Sequence, residues 1–317
     1  MKKITILNTA ILSNNIGDYI IMDSVSEVLN DLFKNDMFFD SYTHGKVSKE
    51  SYFLNKQSDY SFIGGTNLLS SNMNKYNQWK INLIDGLFLK NIILMGVGWW
   101  QYQDKPNYYT KYLLKKVLSE KVLHSVRDSY SEKMLKSIGV NNVINTGCMT
   151  MWGLTKEHCL KIPNVKADDV VFTLTDYNKD YDKDQILIDI LKCNYKTLYF
   201  WPQGLGDLEY LKSLKNIKDV NILGGNLHSY NALLENENIN LDFIGTRLHA
   251  GIRALQNKRR TIIIGIDNRA EEKRKDFNLN VVDRENINEI SNILNHSAAT
   301  EIKINEVNIE KWKNQFR

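Results

Sequence analysis

An arginine and a histidine stand two residues apart where the sequence changes from a strand-like to a helix-like pattern. The stretch "FIGTRLHAGIRAL" covers residues 243–255 and contains Arg247 and His249. Arginine binds carboxylate or phosphate through paired hydrogen bonds, and histidine exchanges protons near neutral pH. The start of a helix adds a partial positive charge. The pair therefore predicts a site that holds a small, multiply charged anion and protonates it.

A second arginine precedes a helix in "HSVRDSYSEKML", where Arg127 is followed by Asp128. Two interpretations stay open for it. Arg127 could bind an anionic ligand, or it could pair with Asp128 or another carboxylate while Asp128 or Ser129 caps the helix.

Glycines follow two predicted strands. In "NNIGDYII", Gly17 lies at a strand-to-helix turn, and Asp18 is a candidate N-cap of the helix. In "FIGGTNLL", Gly64 and Gly65 permit a sharp turn or a close approach to a ligand, and the helix expected next would offer N–H groups to an anion.

An aromatic strand end meets a Gly-rich turn in "YFWPQGLGDLEYL". Gln203 and Asp207 could hydrogen-bond sugar hydroxyls or merely cap a helix. Trp201 is expected in the core, with a sugar platform as the alternative.

Several classes of protein are excluded by missing patterns. The chain has no G-x-G-x-x-G, no P-loop, no G-x-S-x-G and no His/Asp/Glu cluster at metal-ligand spacing. The net charge of +4 is too slight to predict nucleic-acid binding, and it suits an anionic ligand or a weak attraction to a membrane surface. We expect neither a metal ion nor another cofactor.

The cysteines Cys148, Cys159 and Cys193 are odd in number and match no metal or redox spacing, so we expect three reduced thiols. No signal peptide or bilayer-spanning apolar run is recognisable. We therefore expect a cytoplasmic protein.

The elements that must position these residues form two series of near-continuous apolar strands alternating with helices. This pattern is typical of parallel sheets covered on both faces. The prediction is an α/β protein of two doubly wound, Rossmann-like domains facing each other across a cleft. The domains are residues 1–160 and 161–300, and residues 301–317 form a C-terminal helix that crosses back to the first domain.

Ligands of open α/β sheets bind beyond the carboxyl ends of the strands. The candidate residues at strand ends are Asn14, Asn15, Gly17, Asp18, Gly64, Gly65, Thr66, Gly96, Gly98, Arg127, Asp128, Gln203, Gly224, Gly225, Arg247, His249, Asp267 and Arg269.

Taken in order, five motifs resemble the polysaccharide pyruvyl transferases, a family similar to the GT-B glycosyltransferases in fold. The motifs are "NNIGD", "IGGTNLL", "HSVRDSYSEKMLKSIGV", "WPQGLGD" and "GTRLHAGIRALQNKRRTIIIGID", from residue 8 to about 270. The sequence departs from the family pattern at "GGT", "GVGWW" and "DNR", and at the last of these Arg269 would have to supply the cation.

The resemblance implies transfer of pyruvate from phosphoenolpyruvate to two sugar hydroxyls, which forms a cyclic ketal on a surface polysaccharide or its lipid-linked precursor. Arg127, Arg247 and Arg269 would then hold the donor's charges, with the N–H of Leu248 in the same cradle and His249 as the general acid. The second domain would be the donor side. The first would be the acceptor side, and the acceptor residues would be Asn15, Gly17, Asp18, Gly64, Gly65, Thr66, Gln203 and Asp207. Trp99 and Trp100 could stack on sugar rings or pack in the core. Because the acceptor could be lipid-linked, the resemblance also implies that the protein acts at the inner face of the membrane and makes peripheral contact with it.

Two other functions stay open. A GT-B glycosyltransferase that uses a nucleotide sugar would share the fold, with Asp267 or Glu271 for the ribose hydroxyls. A sugar- or anion-binding relative without turnover would be expected to lack Arg247 or His249, and both are present.

Overall fold

A computed structural model describes residues 1–317, which divide into two compact units. Unit 1 comprises Met1–Ser13, Ile21–Trp152 and Ile304–Arg317, and unit 2 comprises Asn14–Ile20 and Gly153–Lys303. The chain passes from unit 1 to unit 2 after Trp152, eight residues before the predicted boundary at residue 160.

Unit 1 is built on parallel strands. Its strands are β1 (Lys3–Asn8), β2 (Met37–Tyr42), β3 (Tyr60–Gly64), β4 (Ile92–Met95), β5 (His124–Val126) and β6 (Val143–Asn145). The first four form a sheet in the order β2-β1-β3-β4, and β5 and β6 form a parallel pair. The sequence pattern does not predict β2, because this edge strand has one buried residue among six and lacks a continuous apolar run.

Unit 2 contains one six-stranded parallel sheet. Its strands are β7 (Asp169–Thr173), β8 (Thr197–Phe200), β9 (Val220–Ile222), β10 (Leu241–Gly245), β11 (Thr261–Gly265) and β12 (Val281–Asp283). The order is β12-β11-β10-β7-β8-β9. The chain first builds outward from β7 to β9, then returns to the other side of β7 and builds outward to β12. The reversal places a topological switch point between β7 and β10, which is where open α/β sheets bind ligands.

The helices follow the predicted alternation. They are α1 (Gly17–Leu32), α2 (Lys49–Gln57), α3 (Asp85–Phe88), α4 (Tyr108–Val117), α5 (Ser129–Ser137), α6 (Lys156–Cys159), α7 (Tyr181–Asn194), α8 (Asp207–Lys212), α9 (Leu227–Glu235), α10 (Leu248–Gln256), α11 (Asn268–Phe277), α12 (Ile290–Leu294) and α13 (Glu306–Asn314). None of them is both long and apolar enough to cross a membrane.

The last helix, α13, belongs to unit 1. Asn305 caps its first turn, and its apolar face carries Ile309 and Trp312 into the unit 1 core, with Phe316 just beyond. The Trp312 ring meets Phe62 edge-on, with 6.1 Å between ring centroids. Buried aromatic side chains of this size contribute strongly to the stability of the unit 1 core.

Candidate functional site

The candidate site of unit 2 begins with the backbone at the switch point. β7 and β10 are paired so that Gly245 lies beside Thr173, and the backbone N–H of Arg247 donates to Thr173 Oγ1 at 3.2 Å. Thr175 and Thr246 hydroxyls are 2.8 Å apart just beyond the strands. Neighbouring strands and buried threonines therefore fix the point at which Arg247 leaves the sheet.

The Arg247 side chain is almost fully buried and paired with two carboxylates. Its Nε donates to Asp207 Oδ2 at 2.9 Å, and its Nη2 donates to Asp176 Oδ1 at 2.9 Å and to the second oxygen of Asp207. Its Cζ lies 5.1 Å from the centroid of the Tyr177 ring. These bonds use Nε and Nη2, so only Nη1 keeps its N–H groups for a ligand.

Asp207 cannot take the acceptor-binding role predicted for it. Its side chain is fully buried, and both carboxylate oxygens already accept hydrogen bonds, including those from the backbone N–H groups of Gln203 and Gly204 and from Arg247. Burial raises the pKa of Asp207, while Arg247 and the surrounding N–H groups oppose the rise. Asp207 therefore orients Arg247.

The glycines of "WPQGLGD" make room for these ion pairs. A Cβ on Gly204 would lie 2.2 Å from Arg247 Nη2, and one on Gly206 would lie 2.4 Å from Asp176 Oδ2. The Gly206 N–H also donates to Asp176 Oδ2 at 3.1 Å. The Gly-rich turn thus lets the backbone approach the side chains of Arg247 and Asp176.

Helix α10 starts at this point without a side-chain cap. Arg247 occupies the N-cap position, and its side chain makes no hydrogen bond to the first turn. Leu248, His249 and Ala250 form that turn and are all buried. The first N–H groups of a helix have no partner within the helix. A buried, uncapped helix start can therefore bind an anion through those groups.

His249 lies in the same first turn, two residues after Arg247, and is 7 % exposed. The structure thus places Arg247, Leu248 and His249 together at one helix end, as their spacing in the sequence predicts.

Arg269 has an internal carboxylate partner as well. Its Nε lies 3.0 Å from Asp267 Oδ2, its Nη2 contacts the Tyr177 hydroxyl, and Asp267 caps α11 through the Arg269 N–H. Tyr177 therefore contacts both Arg247 and Arg269, and it links the predicted donor residues of unit 2.

Segment 14–20 brings two predicted acceptor residues to this edge of unit 2. Asn15 pairs with Gly204 in an antiparallel bridge, and Gln203 Nε2 donates to Asn15 Oδ1 at 2.7 Å. A Cβ on Gly17 would lie 2.7 Å from Gln203 Nε2, so a larger residue there would displace the Gln203 amide. Gln203 is buried, and its Oε1 has no hydrogen-bond partner, which leaves one acceptor for a ligand.

Asp18 is not the N-cap that sequence analysis predicted. Helix α1 begins at Gly17, so Asp18 lies within its first turn, where it is buried. The Gly17 N–H is satisfied by Asn15 Oδ1 at 3.2 Å, which means that Asn15 supplies the local side-chain bond.

In unit 1, Arg127 adopts the structural alternative. Its Nε donates to Asp128 at 2.8 Å, Nη2 donates to the Trp99 carbonyl at 3.0 Å, and Nη1 contacts Asn67. The side chain is 5 % exposed and packs against Gly98, where a Cβ would lie 2.1 Å from Cζ. Burial by itself would raise the pKa of Asp128, but Arg127 and Ser131 lower it. This geometry does not support the donor-binding role predicted for Arg127.

Gly64 and Gly65 serve the packing of unit 1, and Thr66 follows them in a bend. A Cβ on Gly64 would lie 2.8 Å from Val25 Cγ2, which shows how closely α1 approaches β3. Gly65 and Thr66 have φ values of +57° and +53°. The helix predicted directly after them is absent, because turns and a bridge of Leu69 follow, and the next helix is α3. No helix start is available there for an anion.

Most of the remaining tryptophan, histidine and cysteine candidates have structural roles. Trp99 and Trp201 are fully buried, whereas Trp100 is partly exposed and packs against Tyr76, with 4.2 Å between the centroids of the two tilted rings. His124 Nδ1 accepts from the Leu94 N–H, so its Nε2 carries the proton donated to Ser119 O at 2.9 Å. All three cysteines are free, and no group of three or more His, Cys, Asp or Glu side chains could hold a metal ion.

No motif in the sequence points to Asp176 and Tyr177, although both contact Arg247. Both follow β7 in "FTLTDYNKD", at the carboxyl end of a predicted strand. A position at a strand end marks both residues as candidates. Their closeness to Arg247, however, depends on β7 being the neighbour of β10, which only the strand order shows.

Comparisons with known proteins identify the family of the chain and support its fold class. A family model described as polysaccharide pyruvyl transferase matches residues 15–201. A search of curated proteins finds no match. Among solved structures, S. aureus MnaA in a co-structure with UDP is similar, with 10% sequence identity, a TM-score of 0.52, and coverage of 95% of this chain and 92% of that chain. UDP-GlcNAc 2-epimerase from Neisseria meningitidis, bound to UDP-GlcNAc, has 12% identity, a TM-score of 0.49 and full coverage of both chains. The likeness to MnaA confirms the predicted GT-B-like α/β class with parallel sheets.

Proposed function

Because the chain belongs to the polysaccharide pyruvyl transferase family, a group of enzymes of polysaccharide biosynthesis, we propose that its pyruvate donor is phosphoenolpyruvate. The proposed acceptor is a pair of hydroxyls on one sugar of a surface polysaccharide or its lipid-linked precursor, and the product is a cyclic ketal.

The observation that carries the proposal is the uncapped start of α10 at the switch point of unit 2. Phosphoenolpyruvate carries a carboxylate and a phosphate on a three-carbon frame. The N–H of Leu248 binds one of these anionic groups, and the helix start supplies positive potential without a metal ion.

Arg247 contributes through the hydrogens of Nη1, since Asp207 and Asp176 occupy Nε and Nη2. The two carboxylates hold the guanidinium in one orientation before the donor arrives. Such preorganisation favours catalysis, because the positive group does not have to reorganise during the reaction. Arg269 is held by Asp267 in a similar way and is the second candidate for the donor's charge.

His249 is the proposed general acid. It protonates the methylene carbon C3 of the donor, which makes C2 electrophilic, and one sugar hydroxyl then adds to C2 and loses its proton. The second hydroxyl displaces inorganic phosphate from C2 and also loses its proton. The C2–C3 π bond and the C2–O bond to phosphate break, and one C3–H bond and two C2–O bonds form. One hydroxyl proton replaces the proton that His249 gave up, the other leaves with phosphate, and no oxidant or reductant is needed.

Gln203 and Asn15 are the proposed acceptor contacts. Gln203 Oε1 is buried without a partner, so a sugar hydroxyl that donates to it would satisfy an atom that is otherwise costly to bury. Asn15 fixes the opposite end of the same amide group.

The test is phosphate release from phosphoenolpyruvate with a panel of pyranoside acceptors. We expect acceptor-dependent release by the wild type and a loss of at least about 100-fold in His249→Gln, as general acids contribute on this scale. The matched control is His296→Gln, which replaces an exposed histidine of unit 2 and should leave the rate unchanged.

A thermal-shift comparison decides between donors. A ligand that binds only the folded state raises Tm, so phosphoenolpyruvate should stabilise the wild type more than UDP does. Stabilisation by UDP alone, with no phosphate release on any acceptor, would replace this proposal with nucleotide-sugar chemistry. Stabilisation by phosphoenolpyruvate without turnover would indicate a binding protein.

A further inference from the structure

Unit 1 exposes an apolar ridge on the short helix α3 and the residues before it. Ile84, Leu87 and Phe88 are 65%, 64% and 54% exposed, and Leu83 is also exposed. The acidic residue of this helix, Asp85, points inward, where it accepts hydrogen bonds from the Tyr52 hydroxyl and the Asn82 N–H. The outward face of the ridge therefore carries no acidic side chain, and it places large apolar groups in water.

The ridge continues onto the helices at either side. Phe88 contacts Tyr52 of α2, with 5.0 Å between ring centroids, and the neighbouring Phe53 is 59% exposed. On the other side, Gly86 lies against α4, where its Cβ would be 3.7 Å from Lys116 Cβ. Exposed apolar groups of this extent on one face are typical of an interaction surface.

The α4 side of this surface is strongly basic. A groove of about 720 Å³ runs along α4 and is lined by five lysines and one acidic residue, Glu120. The lysines are Lys90, Lys111, Lys115, Lys116 and Lys121. Tyr108 and Tyr112 line the same groove and are 90% and 54% exposed.

We propose that this surface, which combines the α3 ridge with the lysines and tyrosines of α4, docks unit 1 onto an anionic lipid bilayer. Apolar side chains enter the boundary between headgroups and acyl chains, tyrosines are favoured at headgroup depth, and lysines pair with anionic headgroups. Charge complementarity identifies the occupant, since a purely apolar partner surface would leave five lysines without counter-charges. The inference rests on unit 1 alone and does not depend on the proposed donor or reaction.

The test is co-sedimentation of the full chain with phosphatidylcholine vesicles that contain or lack phosphatidylglycerol. We expect binding to the anionic vesicles only. Lys115→Gln/Lys116→Gln should weaken binding by about 25-fold, from roughly fivefold per lysine. Ile84→Ser/Leu87→Ser should weaken it at least tenfold without loss of folding, because both side chains are already exposed.

Matched controls come from unit 2. Lys215→Gln/Lys218→Gln removes the same charge from exposed positions, and Leu160→Ser/Val165→Ser removes exposed apolar groups. Neither control should change vesicle binding.

Three results would overturn the proposal. The first is equal binding to neutral vesicles, and the second is equal weakening by the control pairs. The third is a dimer in sedimentation equilibrium that Ile84→Ser/Leu87→Ser dissociates while no vesicle binding is seen, because the ridge would then be covered by a second copy of the chain.

Discussion

At the residue scale, the candidate site depends on how Arg247 is held. Its place in the sequence predicts a cation presented to a ligand, but in the structure Asp207 and Asp176 surround it. A buried guanidinium without such partners would carry a large desolvation cost. The same two carboxylates reduce its net attraction for an anion, so the helix start must supply much of the binding.

We expect Asp207→Asn to lower the free energy of unfolding by about 3 kcal/mol or more, because it removes a fully buried partner from a buried charge. Asp176→Asn is the matched control, since Asp176 is 28% exposed and solvent can replace part of its interaction. Its loss should be about 1 kcal/mol. Urea denaturation measures both, and equal losses would contradict the orienting role assigned to Asp207.

His124 predicts a pH dependence of stability. It is fully buried, and burial lowers its pKa to about 4, while the hydrogen bond to Ser119 O opposes the shift. The unfolded chain binds this proton near the ordinary pKa of about 6.5, so stability is complete above that pH and falls as pH decreases toward 4. Between about pH 7.5 and about pH 4.5, His124 alone should lower the free energy of unfolding by about 2–3 kcal/mol.

The measurement is urea denaturation across that pH range for the wild type and His124→Asn. The variant keeps an acceptor for the Leu94 N–H but does not titrate, so its stability should fall less steeply with decreasing pH. Identical slopes would show that other groups cause the acid sensitivity.

At the scale of elements, close approach between α1 and β3 shapes unit 1. Gly65 combines a φ of +57° with a position where a Cβ would lie 2.1 Å from Ile21 Cγ2. Both features exclude a larger residue, so this glycine of the "GGT" motif serves the packing of a helix on a sheet.

Gly65→Ala should therefore destabilise the protein by about 2–4 kcal/mol, through backbone strain and overpacking together. Gly139→Ala separates the two causes. Gly139 has a φ of +84°, but the atom nearest to its Cβ is the flexible Lys115 Nζ at 3.5 Å. That variant should lose about 1 kcal/mol in thermal unfolding. A similar loss in both variants would mean that Ile21 moves aside without cost.

At the scale of the whole molecule, the chain returns to unit 1 after completing unit 2. Gln315 exchanges two hydrogen bonds with the backbone of Leu123, at 2.8 and 3.0 Å, across 192 residues of sequence. Trp312 is fully buried beside Phe62 and Phe316. Unit 1 is therefore complete only when residues 304–317 have packed onto it.

Trp312→Ala should cost about 3–5 kcal/mol, because it opens a large cavity in the unit 1 core. Hydrogen exchange is the measurement, and protection should fall in β1 and β3 of unit 1 while β7 and β10 of unit 2 keep theirs. Val307→Ala on the same helix is the control, since Val307 is 78% exposed. Equal loss of protection in both units would show that they unfold together.

Much of the fold could be predicted from sequence, because buried parallel strands are continuous apolar runs and helices between them keep a 3.6-residue period. β10 and α10 follow this pattern closely, and so Arg247, Leu248 and His249 were placed at one helix start. β2 was missed because an edge strand needs no continuous apolar run. The prediction of a helix directly after Gly65 was wrong, because a Gly-rich turn does not specify the element that follows it.

The sequence by itself determined the α/β class, the presence of most strands and helices, and the position of an arginine and a histidine at the same helix start. All of these features depend on residues that are close together in the sequence, so their spacing can be read from the sequence directly. Only the tertiary structure decided that Arg247 is bound by Asp207 and Asp176, which lie 40 and 71 residues away, and that Arg127 is a buried structural residue. Such partners are chosen by strand order and by the space that glycines leave, and neither is encoded in the local pattern around an arginine.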